Sequence, residues 1–70
     1  MPQPVKETFT RREMEVLELI LEQHTTKEIG DILCLSPRTV ETYRSVMLDK
    51  VGARNTVGLV VFALRNFAWL

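Results

Sequence analysis

Side chains able to do covalent or metal chemistry are few in this chain. His24 is the only histidine and Cys34 the only cysteine. One of each, at no recognisable ligand spacing, does not make a metal site. No glycine-rich phosphate loop is present. His24 sits at a connection, where a packed or solvated imidazole is expected rather than a catalytic base. Cys34 falls at a tight turn, where a small apolar residue suffices. A lone cysteine forms no intrachain disulfide, which fits a reducing compartment. These residues point to no enzyme, no metal and no cofactor.

What remains is polar recognition, concentrated between Ser36 and Val51. Val40, Met47 and Val51 recur at helical spacing as an inner stripe, joined midway by Tyr43 or the stem of Arg44. The outer stripe is then Arg38, Glu41, Thr42 and Ser45, flanked by Arg44. Short polar or cationic groups of this kind can enter a major groove without clashing. Thr42 offers a hydroxyl and a methyl, and the methyl can contact thymine. Glu41 can accept from cytosine, and Arg44 can reach guanine or a phosphate. An ordinary solvated helix face has the same composition, so the stripe alone decides nothing.

The elements that must hold this stripe are legible from their ends. Thr10-Arg11-Arg12-Glu13 is a capping box, with Phe9 and Met14 at staple positions. The helix that follows should bury Met14, Val16, Leu17, Ile20 and Leu21 and stop near Glu22 or Gln23. Thr25-Thr26-Lys27-Glu28 is a second box and starts a short helix. Ser36-Pro37 is an N-cap followed by a favoured first-turn proline. That helix should run to Gly52, a left-handed terminating residue. A fourth helix should start at Asn55 and carry Val57, Leu59, Val60, Val61 and Leu64. No alternating strand pattern appears. Two helices separated by little more than Cys34-Leu35 must cross steeply, as in a helix-turn-helix. Close backbones there ask for a small residue, and Gly30 supplies it. Elsewhere in a helix interior glycine costs ~1 kcal/mol against alanine, so its presence implies a packing reason.

The 70 residues suffice for one small domain. The expected class is all-α, a four-helix bundle containing a helix-turn-helix. Residues 1–8 read as a linker or disordered lead, and 9–70 as the folded domain. Phe67 and Trp69 should pack on the domain or on a neighbour. No run reaches the ~18 apolar residues of a membrane span, and no signal-peptide stretch opens the chain. The protein is therefore expected to be cytoplasmic, with no membrane association. Formal net charge is zero, where nucleic-acid binders are usually basic. Distribution matters more than the sum, because a neutral chain can still carry a basic face.

The stretch from Thr26 to Ser45, TKEIGDILCLSPRTVETYRS, resembles the helix-turn-helix of the LuxR/GerE (NarL-like) family. The run SPRTVETYR is especially similar to its FixJ-like branch. FTRREMEVLELI from Phe9 and VGARNTVGLVVFA from Val51 resemble the family's opening and close. The resemblance implies DNA binding as the output domain of a bacterial transcription regulator, such as a response regulator. It places a recognition helix over about 37–51 in the major groove, with the second helix crossing the backbone. It assigns phosphate contacts to Lys27, Thr39, Tyr43 and Lys50, supported by Thr25, Thr26 and Arg38. Base reading falls on Glu41, Thr42 and Ser45, with Arg44 near. Helix 56–66 becomes the dimerisation element, through Val57, Val60, Val61 and Leu64. Implied partners are double-stranded DNA with paired half-sites, a second copy on that DNA, RNA polymerase, and an N-terminal receiver or ligand-binding domain.

Four positions depart from the family pattern. Gln23 stands where a glycine usually ends the first helix, at ~1 kcal/mol or more if φ is positive. Gly58 replaces an acidic residue, removing the fourth helix's capping box. Tyr43 replaces a frequent histidine but can still donate to phosphate. Glu41 replaces a cation, which weakens non-specific binding. Two other readings share parts of the pattern. One is the promoter-binding region of a sigma factor, which has a similar opening. The other is a protein-interaction module on a helix-turn-helix scaffold, favoured by zero net charge and the apolar tail from Val57.

Overall fold

A computed structural model describes residues 9–67. The expected lead over 1–8 and Trp69 lie outside the described residues. Four helices follow one another: α1 Arg11–Leu21, α2 Thr26–Leu33, α3 Pro37–Val51 and α4 Thr56–Asn66. No strand occurs among the described residues, so the expected all-α class holds. Helix α3 packs against each of the other three and forms the centre of the domain.

All four helices begin where their caps predict. Thr10, Thr25, Ser36 and Asn55 each accept a hydrogen bond from the N–H three residues on. In α1 and α2 the bond is returned, since Glu13 and Glu28 accept from the N–H of Thr10 and Thr25 at 2.8 Å each. Such caps contribute about 1 kcal/mol apiece. Gly58 has no carboxylate to return the bond, so α4 keeps only the Asn55 half of its cap.

Three helices end by one device. Gln23, Cys34 and Gly52 each adopt a left-handed backbone, with φ of 68°, 60° and 70°. After each, the next N–H reaches back five residues: His24 to Leu19, Leu35 to Gly30 and Ala53 to Leu48. This is the Schellman arrangement, which satisfies carbonyls that the helix leaves unpaired. Only Gly52 adopts it free of the steric cost of a Cβ. The positive φ considered for Gln23 is observed. Cys34 was expected only to be small, and its left-handed geometry is an additional demand.

Leu35's carbonyl closes this turn tightly over α2. A Cβ built on Gly30 would lie 2.5 Å from the Leu35 oxygen and 3.6 Å from the Pro37 nitrogen. Both are backbone atoms with no room to yield. The packing reason for Gly30 is thus the turn itself.

The core contains Val16 and Leu17 of α1, Ile29 of α2, Val40 and Met47 of α3, and Leu59 and Ala63 of α4, closed by Phe9 and Phe67. The expected inner residues Met14, Ile20, Leu21 and Val51 are half-buried against it, and so is Tyr43. Ile32, in the apolar series of α2, stays 52% exposed. Phe9, Phe62 and Phe67 form a triad with ring centroids 6.3 Å apart in each pair. Phe67 therefore packs on the domain, and α4 is tied to the residue that precedes α1.

Glu13 is the one buried charged side chain among the described residues, at 5% exposure. Its Oε1 accepts both the Thr10 N–H and the Lys50 ammonium, the latter at 2.7 Å. Lys50 Nζ also lies 6.0 Å from the Phe9 ring centroid. Burial opposes ionisation of Glu13, but Lys50 and the Thr10 N–H outweigh it and hold the carboxyl below its ordinary range. The pair joins the start of α1 to the end of α3.

Three stability predictions follow from this framework. Gly30→Ala should lower unfolding free energy by about 1–3 kcal/mol in urea titrations, although alanine is the better helix former. Gln23→Gly should raise it by about 0.5–1 kcal/mol, by relieving the left-handed strain. Glu13's native carboxyl titrates lower than in the unfolded chain. Its stabilisation is therefore complete above the unfolded value of about 4.3 and lost as pH falls through the native value. Glu13→Gln should destabilise the protein at neutral pH by about 1–3 kcal/mol and flatten that acid limb. An acid limb identical to wild type would mean that other carboxylates set it.

Candidate nucleic-acid interface

The start of α2 presents three of the expected phosphate contacts. Thr25 uses its hydroxyl oxygen to cap Glu28 at 3.1 Å. Glu28 is held below its ordinary carboxylate range, chiefly by the Thr25 N–H, with His24 adding to it. His24 lies between two carboxylates, 3.5 Å from Glu22 and 3.6 Å from Glu28. Thr26, the first helical residue, donates its hydroxyl proton to Glu41 Oε2 of α3 at 3.1 Å. Lys27 is exposed and has no ion pair among the described residues.

Helix periodicity sorts the α3 residues onto separate faces. Arg38, Thr42 and Ser45 share one line along the helix, at spacings of three and four. All three are exposed. Thr42 donates its hydroxyl proton to the Arg38 carbonyl at 3.1 Å. Its oxygen therefore remains an acceptor, suited to a base amino group and not to a phosphate. Arg38 has no ion pair among the described residues. At the head of the helix Thr39 shares a hydrogen bond with Ser36, 3.0 Å between the hydroxyl oxygens.

One flank of this line carries Thr39, Tyr43 and Lys50, which recur on a single stripe. Tyr43 is half-buried on the core. Lys50 is engaged with Glu13 on the α1 side. The other flank carries Glu41 and, further toward the core, Arg44. These two form an ion pair in which Arg44 retains 24% side-chain exposure and Glu41 53%. Glu41 is held below the ordinary carboxylate range, first by Arg44 and then by Thr26. The structure thus brings Thr26, Glu41 and Arg44 together. It sets Arg44 about a third of a turn from the Arg38–Ser45 line. Lys50 is set apart from all three.

The apolar residues expected on α4 divide similarly. Val57, Val61 and Leu64 are exposed, at 70%, 40% and 64%, and Val60 is half-buried. Leu64 also borders a shallow cavity with Glu18, Leu21 and Glu22 of the α1 end. No group of three or more His, Cys, Asp or Glu among the described residues can hold a metal ion. No helix among them is long and apolar enough to cross a membrane.

Sequence reasoning missed two engagements. The Glu13–Lys50 bond spans 37 positions, and the Thr26–Glu41 bond spans 15. The second left a partial signal, because Glu41 and Arg44 stand three apart on one helix. Chemically, the assembled face combines the cations Lys27 and Arg38, which have no ion pair among the described residues, with the hydroxyls of Thr42 and Ser45. Such groups can contact phosphates and base edges.

Known proteins bear on this arrangement. A family model described as bacterial regulatory proteins, luxR family, matches residues 7–63. The chain is 35% identical to the response regulator GacA of Pseudomonas aeruginosa over 86% of this chain and 28% of that protein. It is 40% identical to the transcriptional regulatory protein LiaR of Bacillus subtilis, with the same two coverages of 86% and 28%. It is 43% identical to the response regulatory protein YgeK of Escherichia coli over 81% of this chain and 39% of that one. The chain thus spans well under half the length of these relatives. No solved structure matches it. With four capped helices, a tight α2–α3 turn and a matching family model over most of its length, the chain belongs to the luxR family of bacterial regulatory proteins.

Proposed function

We propose that the chain binds double-stranded DNA at a specific sequence and serves as the output domain of a transcription regulator in the cytoplasm. Helix α3 enters the major groove and α2 crosses the backbone, as in other helix-turn-helix proteins. The observation that carries this reading is the exposed line Arg38, Thr42 and Ser45, presented by a turn whose closeness requires Gly30. Family membership and relatives named as response and transcription regulators support it.

Phosphate contacts come from Lys27, Arg38, Thr39 and Tyr43, and from the first turn of α2 at Thr25 and Thr26. Lys50 keeps two N–H donors while bound to Glu13, but that bond holds it on the α1 side of the domain. Thr42 and Ser45 face base edges. The formal charge of zero is no obstacle, because Glu13 and Glu41 are paired inside the domain while Lys27 and Arg38 stay exposed with no ion pair among the described residues. A second copy docks through Val57, Val60, Val61 and Leu64 of α4, placing two recognition helices on paired half-sites. An N-terminal receiver or ligand-binding domain and RNA polymerase are the further partners of the whole regulator.

Selection of bound duplexes from a random pool, at low and at physiological salt, tests the reading. Enrichment of two half-sites is expected. Absence of any enriched sequence at either salt would favour a protein-interaction module instead. Thr42→Ala should relax preference at one base pair per half-site, by about 1–3 kcal/mol of discrimination, with folding intact by circular dichroism. Lys27→Ala should weaken all duplexes about equally and lower the salt slope by about one. An unchanged preferred site in the Thr42 variant would remove that residue from base reading.

A further inference from the structure

We propose that Glu41 is a positioning residue rather than a base reader, and that it fixes Arg44 against the start of α2, where Arg44 meets the DNA backbone. This rests on the DNA-binding reading above and assigns two residues within it. Three observations carry it. Glu41 uses both carboxylate oxygens inside the domain, Oε1 for Arg44 and Oε2 for the Thr26 hydroxyl. The carboxylate is thereby drawn to the α2 side of α3. Arg44 is half-buried and lies about a third of a turn from the exposed Arg38–Ser45 line, so it does not share the groove-facing surface. The residue that Glu41 links it to is the first of α2, the helix that crosses the backbone.

Hydrogen-bond polarity supports the same division. A phosphate oxygen only accepts, and a threonine hydroxyl has one proton to give. Thr26 gives that proton to Glu41, so its hydroxyl has none for a phosphate while the clamp is closed. The backbone N–H groups of Thr26 and Lys27, left unpaired in the first turn, keep that capacity. Arg44 has five N–H donors and can serve Glu41 and a phosphate together. The clamp therefore places a cation at the α2 start and cancels the anion that holds it there. Glutamine at 41 cannot replace it. A single carbonyl oxygen would meet one donor, and the amide nitrogen would face the other.

The test measures affinities on the selected duplex and on each of its single-base-pair substitutions, at two salt concentrations. Wild type, Glu41→Gln, Arg44→Ala and the double variant are compared. Arg44→Ala should weaken every duplex by about three- to tenfold and lower the salt slope by about one, with the order of preferred bases unchanged. Glu41→Gln should also leave that order unchanged. Its effect on affinity should differ by about threefold or more once residue 44 is alanine, because the group it positions has gone. Thr26→Val removes a donor without changing charge and should shift affinity in the same direction as Glu41→Gln. Flattened preference at one base pair in the Glu41 variant overturns the proposal in favour of direct reading. So does a Glu41→Gln effect of the same size with and without Arg44. If wild type selects no sequence at all, the DNA-binding reading fails instead. The clamp is then judged by a urea-unfolding cycle of Thr26→Val and Glu41→Gln, in which strict additivity refutes it.

Discussion

The approach of the Leu35 carbonyl to Gly30 is the constraint on which the rest of the domain depends. It leaves no space for a Cβ, and so fixes how closely the turn after α2 folds over that helix. The direction in which Ser36 launches α3 follows from it. Once α3 is launched, its inner stripe meets α1 and α4, and its outer line faces away from them. The left-handed Cys34 and the Leu35 N–H bond to the Gly30 carbonyl at 2.8 Å belong to the same closure. A larger residue at position 30 would displace the turn and not merely one side chain. Every contact between α2 and α3 would shift with it, including the bond from Thr26 to Glu41.

Local chemistry made most of the fold legible in the sequence. Each cap lies within four residues, so Thr10, Thr25, Ser36 and Asn55 announce their helices without knowledge of the partners. Gly52 announces the end of α3 for the same reason. Cys34 did not announce itself, because a left-handed backbone at a residue with a Cβ has no composition signal. It is imposed by the turn around it. Ile32 shows the opposite limit of periodicity. Its spacing suits a buried stripe, but α2 is only eight residues long and its last turn has no neighbour on that side. The candidate site was legible in its residue types and not in their engagements. Glu41 and Lys50 are both visible in the sequence as charged groups on α3. That each is held by a side chain from another helix depends on long-range packing, which periodicity within one helix cannot supply.

Charge shows why those engagements matter to function. A chain with nine cations and nine anions has no net attraction for a polyanion. Attraction then depends on which charges are spent internally. Glu13 is buried and paired, Glu28 is turned back onto its own helix start, and Glu41 is matched by Arg44. Glu18 and Glu22 lie toward the α1 end and border a cavity with Leu64, and Glu22 faces His24 at 3.5 Å. Lys27 and Arg38 remain exposed, with no ion pair among the described residues. Folding thus separates charges that the sequence interleaves, which is how a neutral domain can still offer a cationic rim.

The same economy of scale bears on α4. Its inner side supplies Leu59 and Ala63 to the core, and Phe67 at its end closes the aromatic triad with Phe9 and Phe62. The helix is therefore packed against the core along one side, and its outer stripe of Val57, Val61 and Leu64 faces outward. A stripe on 11 residues extends about 16 Å. Two such stripes facing each other bury far less than the roughly 800 Å² per partner of a standard stable interface. A dimer built on α4 alone, as proposed above, would therefore be weak in free solution. On the reading proposed above, adjacent half-sites on one duplex would raise the effective concentration of the second copy. On the dimeric reading proposed above, pairing would then be conferred by whatever holds two copies side by side.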